Sequence, residues 1–241
     1  MIALSSIAKP VYLDIKNSAF GLRQALLSHS GMTEGIVSAK RDLRELGCIT
    51  SPSFTAMARS WGNESYAVDF NFIDTLGRYL MERRPRTVLE TGSGLSTIIL
   101  SIYGAVLGFQ TVALEHGKLW QLAASKELAR NKELLGEAEV LHRPLVDFGR
   151  YKWFDIRGGE LPSSIDFVLC DGPQATTKGG RSGLIPNVRD RLSHDALVIM
   201  DDGARPGEQA LAKSWCADYG LSMLSYYDRG RGTIVLSAPR H

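Results

Sequence analysis

The stretch Val88-Leu89-Glu90-Thr91-Gly92-Ser93-Gly94 constrains this chain more than any other. A short apolar run ends in an acid, a glycine-punctuated turn follows, and Leu95 to Leu107 reads as a helix. Strand, glycine turn and helix bring backbone N–H groups and a helix N-terminus up to a ligand. A dinucleotide fingerprint would place glycines at 92, 94 and 97. Position 97 is threonine. The acid at 90 would repel a pyrophosphate, but it can accept hydrogen bonds from an ammonium group or hold an ordered water.

Glu115 extends the pattern. Thr111-Val112-Ala113-Leu114 reads as a second strand, and Glu115 stands at its carboxyl end, about 20 residues after the turn, where an acid can take both hydroxyls of an adenosine ribose. Either glutamate alone also reads as a solvated strand-end acid. Together with the turn they point to a cofactor with a cationic amino-acid end and no phosphate, and S-adenosylmethionine is the candidate. Thr91, Gly92, Ser93 and Gly94 would form the turn of that site, with Glu90 and His116 beside it.

Alternation continues along the chain. Strands are expected at 87–91, 110–115, 138–143, 165–171, 195–201, 221–227 and 232–237, and helices at 66–83, 95–107, 118–134, 183–192 and 206–219. Phe167-Val168-Leu169-Cys170 and Leu197-Val198-Ile199-Met200 are continuous apolar runs, as in strands covered on both faces. The last two strands are joined by Asp228-Arg229-Gly230-Arg231-Gly232, a hairpin-length turn. The expected fold is α/β: a Rossmann-like, doubly wound, mostly parallel seven-stranded sheet ending in an antiparallel hairpin. Residues 1–60 differ: Ser18–Ser28 and Thr33–Leu46 have helical spacing, and Cys48–Ser53, with Pro52, reads as a connector. They are expected to form an N-terminal helical extension, offered as a homodimer interface, beside a domain over 61–241.

Composition excludes several classes. A net charge of +2 gives no long-range field for nucleic acid. The basic run Met81-Glu82-Arg83-Arg84-Pro85-Arg86 reads as a solvated helix end. Cys48, Cys170 and Cys216 lack metal-type spacing and are too few for a disulfide framework, which favours a reducing, cytoplasmic setting. Neither a signal peptide nor a membrane span is read in the chain.

Four expected strands end in acids: Glu90, Glu115, Asp171 and the pair Asp201-Asp202. Ligands of open α/β sheets lie beyond the carboxyl ends of the strands. Asp171, Asp201 and Asp202 offer an oxygen-rich set for Mg²⁺, which would lower the pKa of a substrate hydroxyl. Adjacent strand residues face opposite ways, so Asp201 and Asp202 converge only if the chain turns between them. The competing reading has Asp171 holding the cofactor or a helix terminus and Asp202 capping the next helix.

The chain resembles the class I S-adenosylmethionine-dependent methyltransferases over about residues 65–238. The resemblance rests on Val88–Gly94, Glu115, Ile165–Pro173 and Ala196–Asp202, in that order. Asp171-Gly172-Pro173, Arg181, Pro186, Met200–Arg205, Glu208 and Trp215 are similar to a bacterial subgroup of the methyltransferase domain 24 type. Arg143-Pro144-Leu145 and Tyr151–Phe154 also resemble it, and the resemblance implies adenine contacts from Leu145 and Trp153. Similarity to catechol O-methyltransferase-like enzymes implies metal ligation by Asp171, Asp201 and Asp202. Those enzymes carry asparagine where Asp202 stands, and a catalytic lysine where this chain has Gln174.

The implied activity is methyl transfer to a small hydroxylated metabolite or sugar. Asp171, Lys178 and Arg205 are the candidate catalytic residues, with His116 an alternative base. Arg205 and Arg181 could hold an anionic acceptor, or Arg205 could pair with Glu208. The alternatives are a non-catalytic S-adenosylmethionine-binding protein of the same fold and an NAD(P)-dependent oxidoreductase.

Overall fold

The computed structural model describes residues 31–62, 68–157 and 159–239. The expected helix over Ser18–Ser28 lies outside the described residues. In chain order the elements are α1 (Met32–Leu46), α2 (Ser51–Trp61), α3 (Phe70–Arg83), β1 (Thr87–Thr91) and α4 (Leu95–Leu107), then β2 (Gln110–Glu115), α5 (Lys118–Arg130), β3 (Ala138–His142) and the short pair β4 (Leu145–Asp147) and β5 (Lys152–Phe154). β6 (Ile165–Cys170), α6 (Leu184–Val188), a 3₁₀ turn (Arg189–Arg191), β7 (Leu192–Met200), α7 (Pro206–Tyr219), β8 (Ser222–Tyr227) and β9 (Thr233–Ser237) complete them.

The main sheet has seven strands in the order β3-β2-β1-β6-β7-β9-β8. β1, β2, β3, β6 and β7 run parallel, and β9 lies antiparallel to both β7 and β8. The expected architecture is therefore present, hairpin included. Strand alternation sorts the core into two layers. Val88, Phe167, Leu169, Leu197 and Ile199 pack with α1–α5 on one face. Leu89, Val168, Cys170, Val198 and Met200 pack with α6, α7 and the β4–β5 pair on the other. Both faces are covered, which is why Phe167–Cys170 and Leu197–Met200 are continuous apolar runs.

α1 and α2 share the first of these layers: Met32, Ile36, Met57 and Trp61 are buried in the same cluster as Phe72, Ile98 and Phe167. Of the residues expected as a connector, 48–50 do join α1 to α2, whereas 51–53 open α2. Pro52 falls in the first turn of that helix, where its missing N–H costs nothing. α5 stops at Arg130 rather than 134, because the Asn131 side chain bonds the Glu127 carbonyl at 3.0 Å and ends the helix. The expected helix over 183–192 shrinks to α6 and the 3₁₀ turn, and β7 begins at Leu192, earlier than the expected 195. Among the described residues, no helix is long and apolar enough to cross a membrane.

The chain order reverses between β1 and β6, so a crevice opens beyond their carboxyl ends. The two loops there approach closely. Gly92 has φ +92°, and a Cβ on Gly172 would stand 3.0 Å from the Gly92 nitrogen. Asp171 and Gly172 both donate their N–H to the Thr91 carbonyl, at 3.1 and 2.6 Å.

Candidate functional site

Glu90, one residue before the end of β1, has no exposed surface. Its carboxylate accepts from the Ser96 hydroxyl at 2.5 Å and the Thr97 hydroxyl at 2.7 Å. Thr97 Oγ1 in turn accepts from the Gly94 N–H at 3.0 Å. Threonine at 97, which broke the dinucleotide pattern, thus ties the acid, the turn and the first turn of α4 together. Burial pushes the Glu90 carboxyl up to about 8, against the opposing pull of the Ser96 and Thr97 hydroxyls. The visible role of Glu90 is to brace the turn from beneath.

Glu115 lies on the other side of that turn. It accepts from the Ser93 N–H at 2.9 Å, the Ser93 hydroxyl at 3.1 Å and the Gly117 N–H at 2.7 Å. Burial raises its pKa, opposed chiefly by His116, whose Nδ1 is 3.3 Å from Glu115 Oε1. His116 is partly exposed and packs edge-on near the Phe154 ring. The structure therefore gathers Glu90, Thr91, Gly92, Ser93, Gly94, Glu115 and His116 around one turn.

Leu145 and Trp153 sit on the small β4–β5 hairpin, paired across it within one residue of register. Leu145 is half-buried. Trp153 is fully buried, packed with Phe154 at a ring-centroid distance of 5.1 Å and under Gly183, where a Cβ would lie 2.6 Å from the indole. Its visible role is in the core. Lys178 is held on the same hairpin, with Nζ 3.2 Å from Asp147 Oδ2.

The acids of β6 and β7 do converge. Ligand-type oxygens of Asp171, Asp201 and Asp202 lie within 4.8 Å of one another. Asp202 has φ +61°, and this left-handed residue supplies the turn that brings it beside Asp201. Each acid meets an arginine. Arg181, with 2% of its side chain exposed, stands 3.2 Å from Asp171 Oδ1 and 2.9 Å from Asp202 Oδ2. It also donates to the main-chain carbonyls of Asp201 and Asp171, at 2.5 and 2.7 Å, and so staples the ends of β6 and β7. Arg205 reaches Asp202 Oδ2 at 2.7 Å, and Arg231 reaches Asp201 Oδ2 at 2.6 Å. Glu208 pairs with Arg181 at 3.8 Å.

Arg231 is the member of this cluster that the sequence reading does not single out, and Glu208, expected as a partner of Arg205, pairs with Arg181 instead. Arg231 arrives from the β8–β9 turn. Asp69, the N-cap of α3, accepts from the Phe72 N–H at 2.8 Å and the Arg231 N–H at 3.0 Å. That contact sets the turn over the cluster. Gly230, at φ +61°, leaves no room for a Cβ beside the Asp69 carboxylate.

A divalent cation fits the chemistry of the three carboxylates but not their surroundings. Each carboxylate is already paired with at least one of three guanidinium groups. Asp201 Oδ1 and Asp202 Oδ1, buried and without a hydrogen-bond partner, are sealed from solvent. A catalytic metal needs a position open to substrate. Of the three acids only Asp171 is partly exposed, with 28% of its side chain accessible. Burial raises its pKa, Arg181 lowers it, and Asp202 raises it again.

The seven-stranded fold is shared with solved methyltransferases. No protein-family model matches the chain, and no curated protein matches it. Solved structures do. An O-methyltransferase from Bacillus cereus in complex with S-adenosylhomocysteine is 16% identical, with a TM-score of 0.57 over 84% of this chain and 97% of that one. A methyltransferase from Geobacter sulfurreducens is 17% identical, with a TM-score of 0.53 over 83% and 94%. The Podospora anserina methyltransferase PaMTH1, also bound to S-adenosylhomocysteine, is 16% identical, with a TM-score of 0.53 over 84% and 86%. At these identities the likeness establishes the fold.

Proposed function

We propose that this chain is an S-adenosylmethionine-dependent methyltransferase acting on a hydroxyl of a small metabolite or sugar. The observation that carries the reading is the assembly at the strand-order reversal. The turn over Gly92–Gly94 is braced by Glu90 and flanked by Glu115, and it faces Asp171 across the Gly92–Gly172 approach. The names of solved neighbours such as the Bacillus cereus O-methyltransferase favour oxygen as the acceptor atom.

When bound, S-adenosylmethionine supplies a methyl group on a sulfonium, ready for in-line displacement. Ser93, Gly94 and the α4 N-terminus would hold its amino-acid end, Glu115 its ribose, and His116 with Leu145 the adenine side. The acceptor's hydroxyl oxygen would be the atom that receives this methyl group. Asp171 would hold the acceptor hydroxyl by accepting its hydrogen bond and then take its proton. Alignment supplies most of the acceleration in such a reaction. Asp171, flanked by Arg181, is the partly exposed acid placed for that work.

A second reading has one observation behind it. Lys178 is engaged by Asp147 rather than by the acids, which leaves the site without a lysine base and favours a cofactor-binding protein that does not transfer methyl groups. Calorimetric titration with S-adenosylhomocysteine, followed by a labelled-methyl screen over hydroxylated acceptors, tests both. Micromolar binding with turnover is the expected result. Binding without turnover over a broad panel supports the second reading. No binding by folded protein overturns the cofactor assignment.

A further inference from the structure

We propose that the guanidinium groups of Arg181, Arg205 and Arg231 take the electrostatic place of a divalent cation among Asp171, Asp201 and Asp202, so that this site works without a metal. As it concerns methyl transfer, this rests on the function proposed above. As it concerns the cluster, it stands on geometry alone.

The acids are arranged as metal ligands would be, within 4.8 Å of one another at the ends of adjacent strands. What sits among them is arginine. Four contacts of 2.6 to 3.2 Å join the three acids to the three arginines. Such contacts are charge-assisted hydrogen bonds, the strong kind, and each of the three aspartates makes at least one of them. Three cations already within reach would repel a fourth.

The arginines also do what a metal does for geometry. Arg181 spans two strand ends through main-chain carbonyls, and a buried planar fork fixes both positions at once. Asp171 is held through its carbonyl and its carboxylate by the same side chain. Arg181 is thus a positioning residue for Asp171. Both oxygens of Asp202 face arginine, with Oδ1 3.7 Å from Arg231 Nε, and the remaining oxygen, Asp201 Oδ1, is sealed, so a cation bound there would have no coordination site to offer a substrate. An acceptor meets Asp171 and the half-exposed Arg205 and Arg231, whose side chains are 49% and 32% accessible.

The test uses Mn²⁺ as the probe and does not depend on turnover. Purified protein, with and without S-adenosylhomocysteine, is titrated with Mn²⁺ while the free-ion signal is followed by electron paramagnetic resonance. The wild-type chain is expected to take up no Mn²⁺ at millimolar metal. Arg205→Ala and Arg231→Ala, singly and together, remove half-exposed cations without emptying the core, and the double variant is expected to gain an Mn²⁺ site. Stoichiometric uptake by the wild type that is abolished in Asp201→Asn would overturn the proposal. A double variant that binds no better than wild type would overturn the argument that the arginines exclude the cation. S-adenosylhomocysteine titration on the same samples separates this outcome from failure of the methyltransferase reading.

Discussion

Replacing Glu90 with glutamine should make the protein more resistant to unfolding at pH 8 while leaving it nearly unchanged at pH 4. Glu90 is fully buried, and its pKa is raised from 4.5 to about 8 by burial. In the unfolded chain the group ionises near the ordinary value. Between those two values the folded state holds a proton that the unfolded state has released, so stability falls as pH rises. Each pH unit in that window removes about 1.4 kcal/mol, which bounds the whole effect near about 5 kcal/mol. The stabilising contribution is complete below pH 4.5 and is lost as pH passes about 8.

Glutamine mimics the protonated acid: one oxygen accepts, and the amide donates to a hydroxyl that can rotate. Urea unfolding of both proteins at pH 4, 6 and 8 measures the difference. The variant's advantage is expected to grow from near zero to about 2–4 kcal/mol, the upper part of the bound being reduced by relaxation around the charge. A difference that stays flat with pH would refute the reasoning. A variant less stable at pH 8 would show that the Ser96 and Thr97 hydroxyls hold an ionised carboxylate.

Three further outcomes follow from particular contacts. Arg181→Met should cost about 3–5 kcal/mol in chemical denaturation, because it strands buried carboxylates. Gly183→Ala would place a Cβ 2.6 Å from the Trp153 ring, and this overpacking should lower stability by about 1–3 kcal/mol without touching the 92–94 turn. Calorimetry should therefore find its S-adenosylhomocysteine affinity unchanged. Glu115→Gln keeps one acceptor where the carboxylate has two. It should weaken S-adenosylhomocysteine binding about tenfold to a hundredfold, the worth of a hydrogen bond to a charged group. Unchanged affinity would remove Glu115 from the ribose site.

The parallel strands were legible because each is a short apolar run bounded by a turn, and both sheet faces demand the same pattern. The final hairpin was legible from its glycines. β4 and β5 were not, since three residues apiece are too few to show alternation. Pro52 illustrates a different limit. The same residue marks a break inside a helix and a favourable start at its first turn, and only the burial of Phe54, Met57 and Trp61 behind it decides which. Thr97 breaks the glycine pattern, and its hydroxyl is the informative group.

The acids at the strand ends show most clearly where a sequence stops being informative. Their convergence could be anticipated, because topology carries every parallel strand end to the same edge. The group that answers their charge could not. A carboxylate at a strand end looks the same whether it meets a metal, a cofactor ammonium or a guanidinium. Arg231 reaches Asp201 only because Asp69, far away in the chain, grips the turn that carries it and Gly230 lets the two approach. No period or motif records that contact. If the double arginine variant gains an Mn²⁺ site, then what distinguishes this cluster from a metal centre lies in the side chains that crossed the fold to meet the aspartates, and not in the aspartates themselves.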